Sequence, residues 1–283
     1  IKKYSKEYAK KIMRNKKLSL IPIVDSKNRY VSYISQEQIF ENTKKTNRKK
    51  FFASAIIMAG GRGTRLGPFT DVLPKPLIPV AGKTIIERII NKFLNVGIKK
   101  IDITINHKAK ILKSFFEEFN LDCDLNFVEE RKQLGTAGSI KLLESKLSGS
   151  FFVTNCDILL DINLADLYKF HEKNNFLITI VAASKNYKIP YGVCEINSDK
   201  FLEKIKEKPK FNFFANTGMY VLNPKVIKMI PNNKNFDMTD LIEKVKKNNL
   251  NIGVYPIPEN AWIDIGQWPE YQKTIKHFDE KKY

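Results

Sequence analysis

From Phe51 onward, apolar runs of strand length alternate with segments whose apolar residues recur at helical spacing. Ala53-Ser54-Ala55-Ile56-Ile57-Met58 is continuously small or apolar and stops at Gly60-Gly61, the pattern of a parallel strand buried on both faces. Over 84–96, Ile85, Ile86, Ile89, Ile90, Phe93 and Leu94 fall on one helical face and Gly97 follows, which predicts a helix and its stop. The same reading predicts strands over 101–105, 125–128 and 151–154, and helices over 110–119, 136–147 and 164–174. A βαβ series of this kind implies an α/β fold with a doubly wound, mostly parallel, Rossmann-like sheet. Beyond Leu177 the rhythm changes to short strands around turns, over 177–182, 191–196, 201–206 and 216–222, which predicts a smaller β subregion. Helices over 238–247 and 267–278 bracket a last strand pair, 252–256 and 262–265.

Residues 1–50 are patterned differently. Two apolar runs, Ser19 to Val24 and Tyr30 to Ile34, flank the polar Asp25-Ser26-Lys27-Asn28-Arg29. They read as strand, turn and strand, followed by a helix with Ser35 as N-cap and Gln38 three residues on. The basic stretch Asn42 to Lys50 reads as a linker. The expected organisation is therefore a segment over 1–41, a linker over 42–50 and one large domain over 51–283.

Composition narrows the class. With 43% hydrophobic and 28% charged residues, the 283-residue chain is neither a disordered tail nor a fibrous repeat. Cys123, Cys156 and Cys194 are odd in number and widely spaced, which argues against a disulfide framework or a structural zinc site and fits a reducing cytosol. No stretch approaches ~18 apolar residues, so no transmembrane helix is expected. The chain opens on Ile1 rather than Met, which puts its expected natural start upstream. The net charge of +19 rests on lysine, because only seven arginines are present. Lysines are spread over nearly every segment, so the charge reads as compositional, with attraction of an anionic substrate as a by-product rather than a nucleic-acid surface.

The sharpest chemical signal is Met58-Ala59-Gly60-Gly61-Arg62-Gly63-Thr64-Arg65-Leu66, directly after the first strand of the predicted sheet. Its glycines let backbone N–H groups approach a polyphosphate, and two of the seven arginines lie within it. Spacing excludes two familiar loops. A dinucleotide fingerprint starting at Gly61 needs glycine where Leu66 stands, and a P-loop ending in Gly82-Lys83-Thr84 needs glycine where Leu77 stands. Three prolines stiffen the next segment, Leu73-Pro74-Lys75-Pro76-Leu77-Ile78-Pro79-Val80, and hold a lysine suited to a phosphate oxygen. Asp157 follows the apolar strand 151–154 at the edge where open α/β sheets bind ligands. Asp264 stands between Trp262, Ile263 and Ile265, a setting in which a carboxylate needs a partner.

Together GGRGTRL and LPKPLIPV resemble the signature of the sugar-1-phosphate nucleotidyltransferases, and the similarity runs from about Ser54 to about Trp268. Later motifs fall in that family's order: Glu130 through Leu134-Gly135-Thr136-Ala137-Gly138, Asn155-Cys156-Asp157, Tyr191-Gly192-Val193, Glu207-Lys208-Pro209, Asn216-Thr217-Gly218, and Trp262-Ile263-Asp264-Ile265-Gly266. The resemblance implies a transfer of a nucleotidyl group from a triphosphate to a sugar-1-phosphate. It implies charge stabilisation by Arg65, Lys75, Asp157 and Lys208, and Mg²⁺ held by Asp157 and Asp264. Nucleotide contacts would come from Ala59, Gly60, Gly61, Arg62, Gly63 and Thr64, and from Glu130, Gly135 and Thr136. Sugar contacts would come from Tyr191, Gly192, Glu207, Asn216, Thr217 and Gly218. Glu130 stands where thymidylyl and uridylyl relatives carry glutamine; a carboxylate only accepts, which suits the adjacent N1–H and N2 amino donors of guanine and favours GTP.

The N-terminal segment resembles the closing half of a CBS domain. A CBS half followed by a nucleotidyltransferase resembles a bacterial arrangement that makes GDP-glucosamine for legionaminic acid. On that likeness glucosamine-1-phosphate is the expected sugar, with mannose-1-phosphate, heptose-1-phosphate or a UTP/dTTP-using activity as alternatives, and a nucleotide-sugar sensor as the non-enzymatic one. The implied partners are these substrates, with no nucleic acid and no membrane. A homo-oligomer and an adenine nucleotide at the upstream CBS half are left open.

Overall fold

The computed structural model describes residues 20–24, 29–35, 53–119 and 121–280, and the chain divides into two compact units, 1–49 and 50–283. In the first, β1 (Leu20–Val24) pairs antiparallel with β2 (Tyr30–Ser35), from Leu20 opposite Ser35 to Val24 opposite Tyr30. Ser35 closes β2. The helix expected after it and the linker over 42–50 lie outside the described residues.

The second unit is built on β3 (Ala55–Met58), which runs parallel to its neighbours on both sides. Two short strands, β4 (Pro79–Val80) and β5 (Lys83–Thr84), form a hairpin that leads into helix α1 (Ile85–Asn95). Thr84 and Glu87 close a reciprocal capping box there: the Glu87 amide donates to Thr84 Oγ1 and the Thr84 amide to Glu87 Oε2. Then come β6 (Lys100–Ile105), α2 (Ala109–Glu117), β7 (Asp124–Glu129), β8 (Phe151–Asn155), β9 (Ile158–Leu160) and α3 (Leu164–Lys173). The last third contributes β10 (Ile178–Lys188), β11 (Gly192–Ile196), β12 (Leu202–Glu207), β13 (Lys210–Leu222), α4 (Met238–Lys247), β14 (Ile252–Ile257), β15 (Trp262–Asp264) and α5 (Trp268–Glu280).

Seven strands form the central sheet in the order β14-β10-β13-β8-β3-β6-β7. Only β13 is antiparallel to its neighbours, so six strands share one direction and their carboxyl ends make one edge. Side chains alternate between two apolar layers, which is why these strands read as unbroken hydrophobic runs. Ile57 and Phe152 enter the layer with α1, α2 and α3, whereas Ile56 and Val153 enter the layer with α4 and residues 137–147.

Two departures from the sequence reading have physical causes. The helix expected over 136–147 is one α-turn, Gly135–Gly138, followed by a 3₁₀ run, Ser139–Lys146. Its buried positions Ala137, Ile140 and Leu143 recur every three residues, the repeat of a 3₁₀ helix. Strands β10 and β13 also run farther than their apolar stretches, through Lys188 opposite Lys210, and continue as an exposed ribbon. Exposed strands need no alternation of apolar and polar residues, so this extension left no periodic trace.

Candidate active site

The glycine-rich turn leaves β3 at the carboxyl edge. Gly63 has a φ of 70°, and a Cβ there would come within 3.0 Å of Lys75 Cβ and 3.1 Å of Thr70 Cγ2. Glycine thus lets the turn lie flat on the Lys75 stem. Thr70 Oγ1 fastens it by donating to the Gly63 carbonyl at 3.0 Å. Arg62 and Arg65 in this turn are exposed.

Beneath it, Pro74 and Pro76 frame a single 3₁₀ turn at Lys75, whose side chain is 8% exposed and donates to Asp157 Oδ2 at 2.5 Å. Asp157 occupies the turn between β8 and β9. A second segment reaches the same place because β15 pairs with β9, Asp264 opposite Ile158, and the Ile265 amide donates to the Asp157 carbonyl at 2.8 Å. The Gly266 amide donates to Asp264 Oδ1 at 2.7 Å. A Cβ on Gly266 would lie 2.7 Å from Asp264 Oδ1 and 3.2 Å from Asp157 Oδ2, so both carboxylates flank one point. Asp157 Oδ1 is buried without a hydrogen-bond partner. A buried anionic oxygen with nothing to accept from, beside a second carboxylate, is a donor set that fits a hard divalent cation completed by substrate phosphates.

A second cluster forms where β3, β6 and β7 end. Glu130 is 7% exposed; its Oε2 accepts the Leu134 amide at 3.1 Å, and its carbonyl accepts from Asn106 Nδ2 at 2.7 Å. Its Oε1 lies 2.7 Å from where a Cβ on Gly60 would stand, so a larger residue there would have to displace the carboxylate. Burial pushes the Glu130 carboxyl above its ordinary value, with the Leu134 amide partly opposing. Ala59 directs its amide back into the sheet, to the Thr104 carbonyl. Gly135 has a φ of 76° and closely approaches the Phe236 carbonyl, where a Cβ would lie only 2.7 Å away. The amide and hydroxyl of Thr136 both donate to Asp237 Oδ1, at 2.9 and 3.2 Å.

The residues expected around the sugar fall into two groups. Asn216 pairs with Ala182 in β10, and Thr217, Gly218 and Met219 form the bulge in β13 opposite Val181. Thr217 Oγ1 donates to the Val181 carbonyl, the Gly218 amide donates to Asn216 Oδ1, and Gly218, at φ 85°, makes room for Asn155. Asn155 ends β8 next to Met58 of β3, so this group adjoins the carboxyl edge. The other group stands on the separate β11–β12 hairpin. Gly192 faces Glu207 in the β11–β12 register, the Lys208 amide donates to the Tyr191 carbonyl, and Lys208 Nζ lies 3.8 Å from Glu207 Oε1. Among the described residues, no hydrogen bond or ion pair joins this second group to Lys75, Asp157 or Asp264.

Sequence reasoning missed Thr70, Asn106 and Asp237, which hold the turn and the Glu130 segment in place. Asn106 left a trace, a polar residue directly after the apolar run of β6. Asp237 left none, because its partner is 101 positions away.

Comparison with known proteins places the chain in a family. A profile of the family described as nucleotidyl transferase matches residues 54–281. Mannose-1-phosphate guanyltransferase of Yarrowia lipolytica is 33% identical over 229 residues, covering 75% of this chain and 60% of that protein. UTP–glucose-1-phosphate uridylyltransferase of Synechocystis is 28% identical over 242 residues, covering 78% of this chain and 62% of that protein. This chain thus spans a little over half the length of such relatives. HddC from Yersinia pseudotuberculosis, one of whose structures is complexed with GMP-PN, superimposes with a TM-score of 0.62 at 26% identity, covering 80% of this chain and 100% of that one. No helix among the described residues is long and apolar enough to cross a membrane. Glycine turn, paired aspartates and matching profile lead to one conclusion: the chain belongs to the nucleotidyl transferase family.

Proposed function

We propose that the chain joins GTP and a sugar-1-phosphate to give a GDP-sugar and pyrophosphate. The observation that carries this reading is the convergence of Asp157 and Asp264 on one point beside Lys75, below the glycine-rich turn. In the reaction an oxygen of the sugar phosphate bonds to the α-phosphorus as the bond to the bridging β-phosphate oxygen breaks. Pyrophosphate leaves with that electron pair. The attacking oxygen is already anionic, so no protein nucleophile is needed, and catalysis reduces to alignment and charge stabilisation. Arg65, exposed in the turn, would face the leaving pyrophosphate; Lys75 the α-phosphate; and Lys208 the phosphate of the sugar. Glu207 and Tyr191-Gly192 would hold the sugar hydroxyls. Magnesium, held by Asp157 and Asp264, would supply a hard Lewis acid for the phosphates of both substrates.

Glu130 supports guanine: it is a buried acceptor against Gly60, and guanine offers two adjacent donors where uracil or thymine offers one between acceptors. The names of several relatives, mannose-1-phosphate guanylyltransferases, point the same way for the base and favour mannose-1-phosphate as one sugar. The CBS-like N-terminal segment favours glucosamine-1-phosphate as the sugar substrate. Pyrophosphate release with Mg²⁺ across GTP, UTP and dTTP against glucosamine-1-phosphate, mannose-1-phosphate and heptose-1-phosphate tests the proposal. Release with none of them would leave a nucleotide-sugar sensor.

A further inference from the structure

We propose that Asp237 is a positioning residue that fixes the base-reading carboxylate of Glu130, and so sets affinity for the nucleoside triphosphate. The inference rests on the reading of the 130–136 segment as the base-binding one. Nothing in the chemistry of phosphoryl transfer calls for Asp237, and it heads α4, far along the chain from that segment.

The contacts form an interlocked clamp. Asp237 Oδ1 accepts from both the amide and the hydroxyl of Thr136, while Thr136 Oγ1 accepts the Met238 amide at 2.8 Å. One residue earlier, the Phe236 carbonyl accepts the amides of Ala137 and Gly138, and the Phe236 amide donates to the Leu134 carbonyl at 2.8 Å. Leu134 is thereby held from its carbonyl side by Phe236, while its amide donates to Glu130 Oε2. Glu130 Oε1 is left against Gly60. The order is Asp237 to Thr136, Thr136 to the 134–135 backbone, and Leu134 to Glu130. Gly135 belongs to the same device, since a Cβ there would lie 2.8 Å from Asp237 Oδ1. A carboxylate that must meet two fixed donors on a planar base loses discrimination when it can rotate, because hydrogen bonds weaken steeply with misalignment.

The test compares Asp237→Ala, Asp237→Asn and Thr136→Val in the full-length chain. Asp237→Ala should raise KM for GTP about tenfold, with kcat and KM for the sugar phosphate within about twofold of wild type. The ratio of kcat/KM for GTP over UTP should fall by a similar factor. Asn keeps an oxygen acceptor, so Asp237→Asn should return most of the affinity. Thr136→Val removes the hydroxyl while leaving α4 intact, and should reproduce the split without a large fall in Tm. Combined with Asp237→Ala it should add little, as two members of one clamp do. The proposal is overturned if Asp237→Ala lowers Tm but leaves KM for GTP unchanged, or if both substrates' KM values and kcat move together. If wild type prefers UTP, the guanine reading fails, while the clamp is still judged by KM for UTP. If wild type turns over neither, calorimetric titration with GTP and UTP replaces KM.

Discussion

Asp157 and Asp264, more than a hundred residues apart, approach the same point next to Gly266: a Cβ there would stand 3.2 Å from one carboxylate and 2.7 Å from the other. Gly266 has no unusual backbone need in this position, so its use is the space it leaves. Gly266→Ala should push the Asp264 carboxylate aside while the fold stays intact. Because magnesium demands near-ideal octahedral geometry at about 2.0–2.1 Å, a shift of a few tenths of an ångström should raise the Mg²⁺ concentration for half-maximal pyrophosphate release about tenfold. An unchanged Mg²⁺ titration in this variant would contradict the proposed metal position.

Lys75 and Asp157 make a nearly dry ion pair, with side chains 8% and 14% exposed. Removing one partner of such a pair leaves the other charge buried and typically costs roughly 3 kcal/mol. Lys75→Met should therefore lower the Tm by about 5–10 °C in the absence of metal. Mg²⁺ gives Asp157 a replacement cation, so saturating Mg²⁺ with GTP should recover part of that loss in a thermal shift assay. Turnover should stay depressed by about a hundredfold if, as proposed, Lys75 stabilises charge on the reacting phosphates. Equal Tm for variant and wild type would mean that the pair contributes only what a surface pair does.

How far the sequence reaches follows from what holds each element. Strands β3, β6 and β8 were legible because both their faces are buried, and Ile56-Ile57 and Phe151-Phe152-Val153 can only be read one way. Asp157 and Asp264 were legible as candidates, but not the Ile265 amide or the β9–β15 pairing that brings them together. The exposed ribbon of β10 and β13 was cut short because its outer residues, such as Phe213 and Phe214, bury little and follow no period. Thr136 was legible as a candidate, but no local feature announces that Asp237 lies against it. Local periodicity reports burial well; it carries no trace of a hydrogen bond between segments brought together only by the fold.

The three thiols should differ sharply toward an alkylating reagent. Cys156 is buried beside Asp157, and burial, with that charge adding to it, pushes its thiol up to about 12. Cys123 is half-buried, and its thiol is raised by burial and then by Asp122 and Asp124. Cys194 is exposed on β11. Because the thiolate is the reacting form, iodoacetamide at pH 8 should label Cys194 first, Cys123 slowly and Cys156 only after unfolding. Peptide mass spectrometry over a time course reads the order directly, and early labelling of Cys156 would mean that the turn carrying Asp157 opens in solution.

On the proposed guanine reading, Glu130 would tie base choice to pH. Burial raises its carboxyl above the ordinary 4.5. A group with a raised folded value stabilises the fold fully below the ordinary value, and that contribution is lost as pH rises through the raised one. Its ionised form is thus the one the fold tolerates less, yet it is the form able to accept both donors of guanine. As pH falls through the raised value the carboxyl gains a proton, and KM for GTP should climb. Glu130→Gln does not titrate, so its KM should be flat over the same interval, and its preference should move from GTP toward UTP or dTTP by about tenfold or more. The same substitution removes a buried charge, so at pH 8 the variant should be at least as heat-stable as wild type while using GTP less well. A wild-type KM for GTP that ignores pH, together with an unaltered base profile in Glu130→Gln, would separate this residue from base recognition.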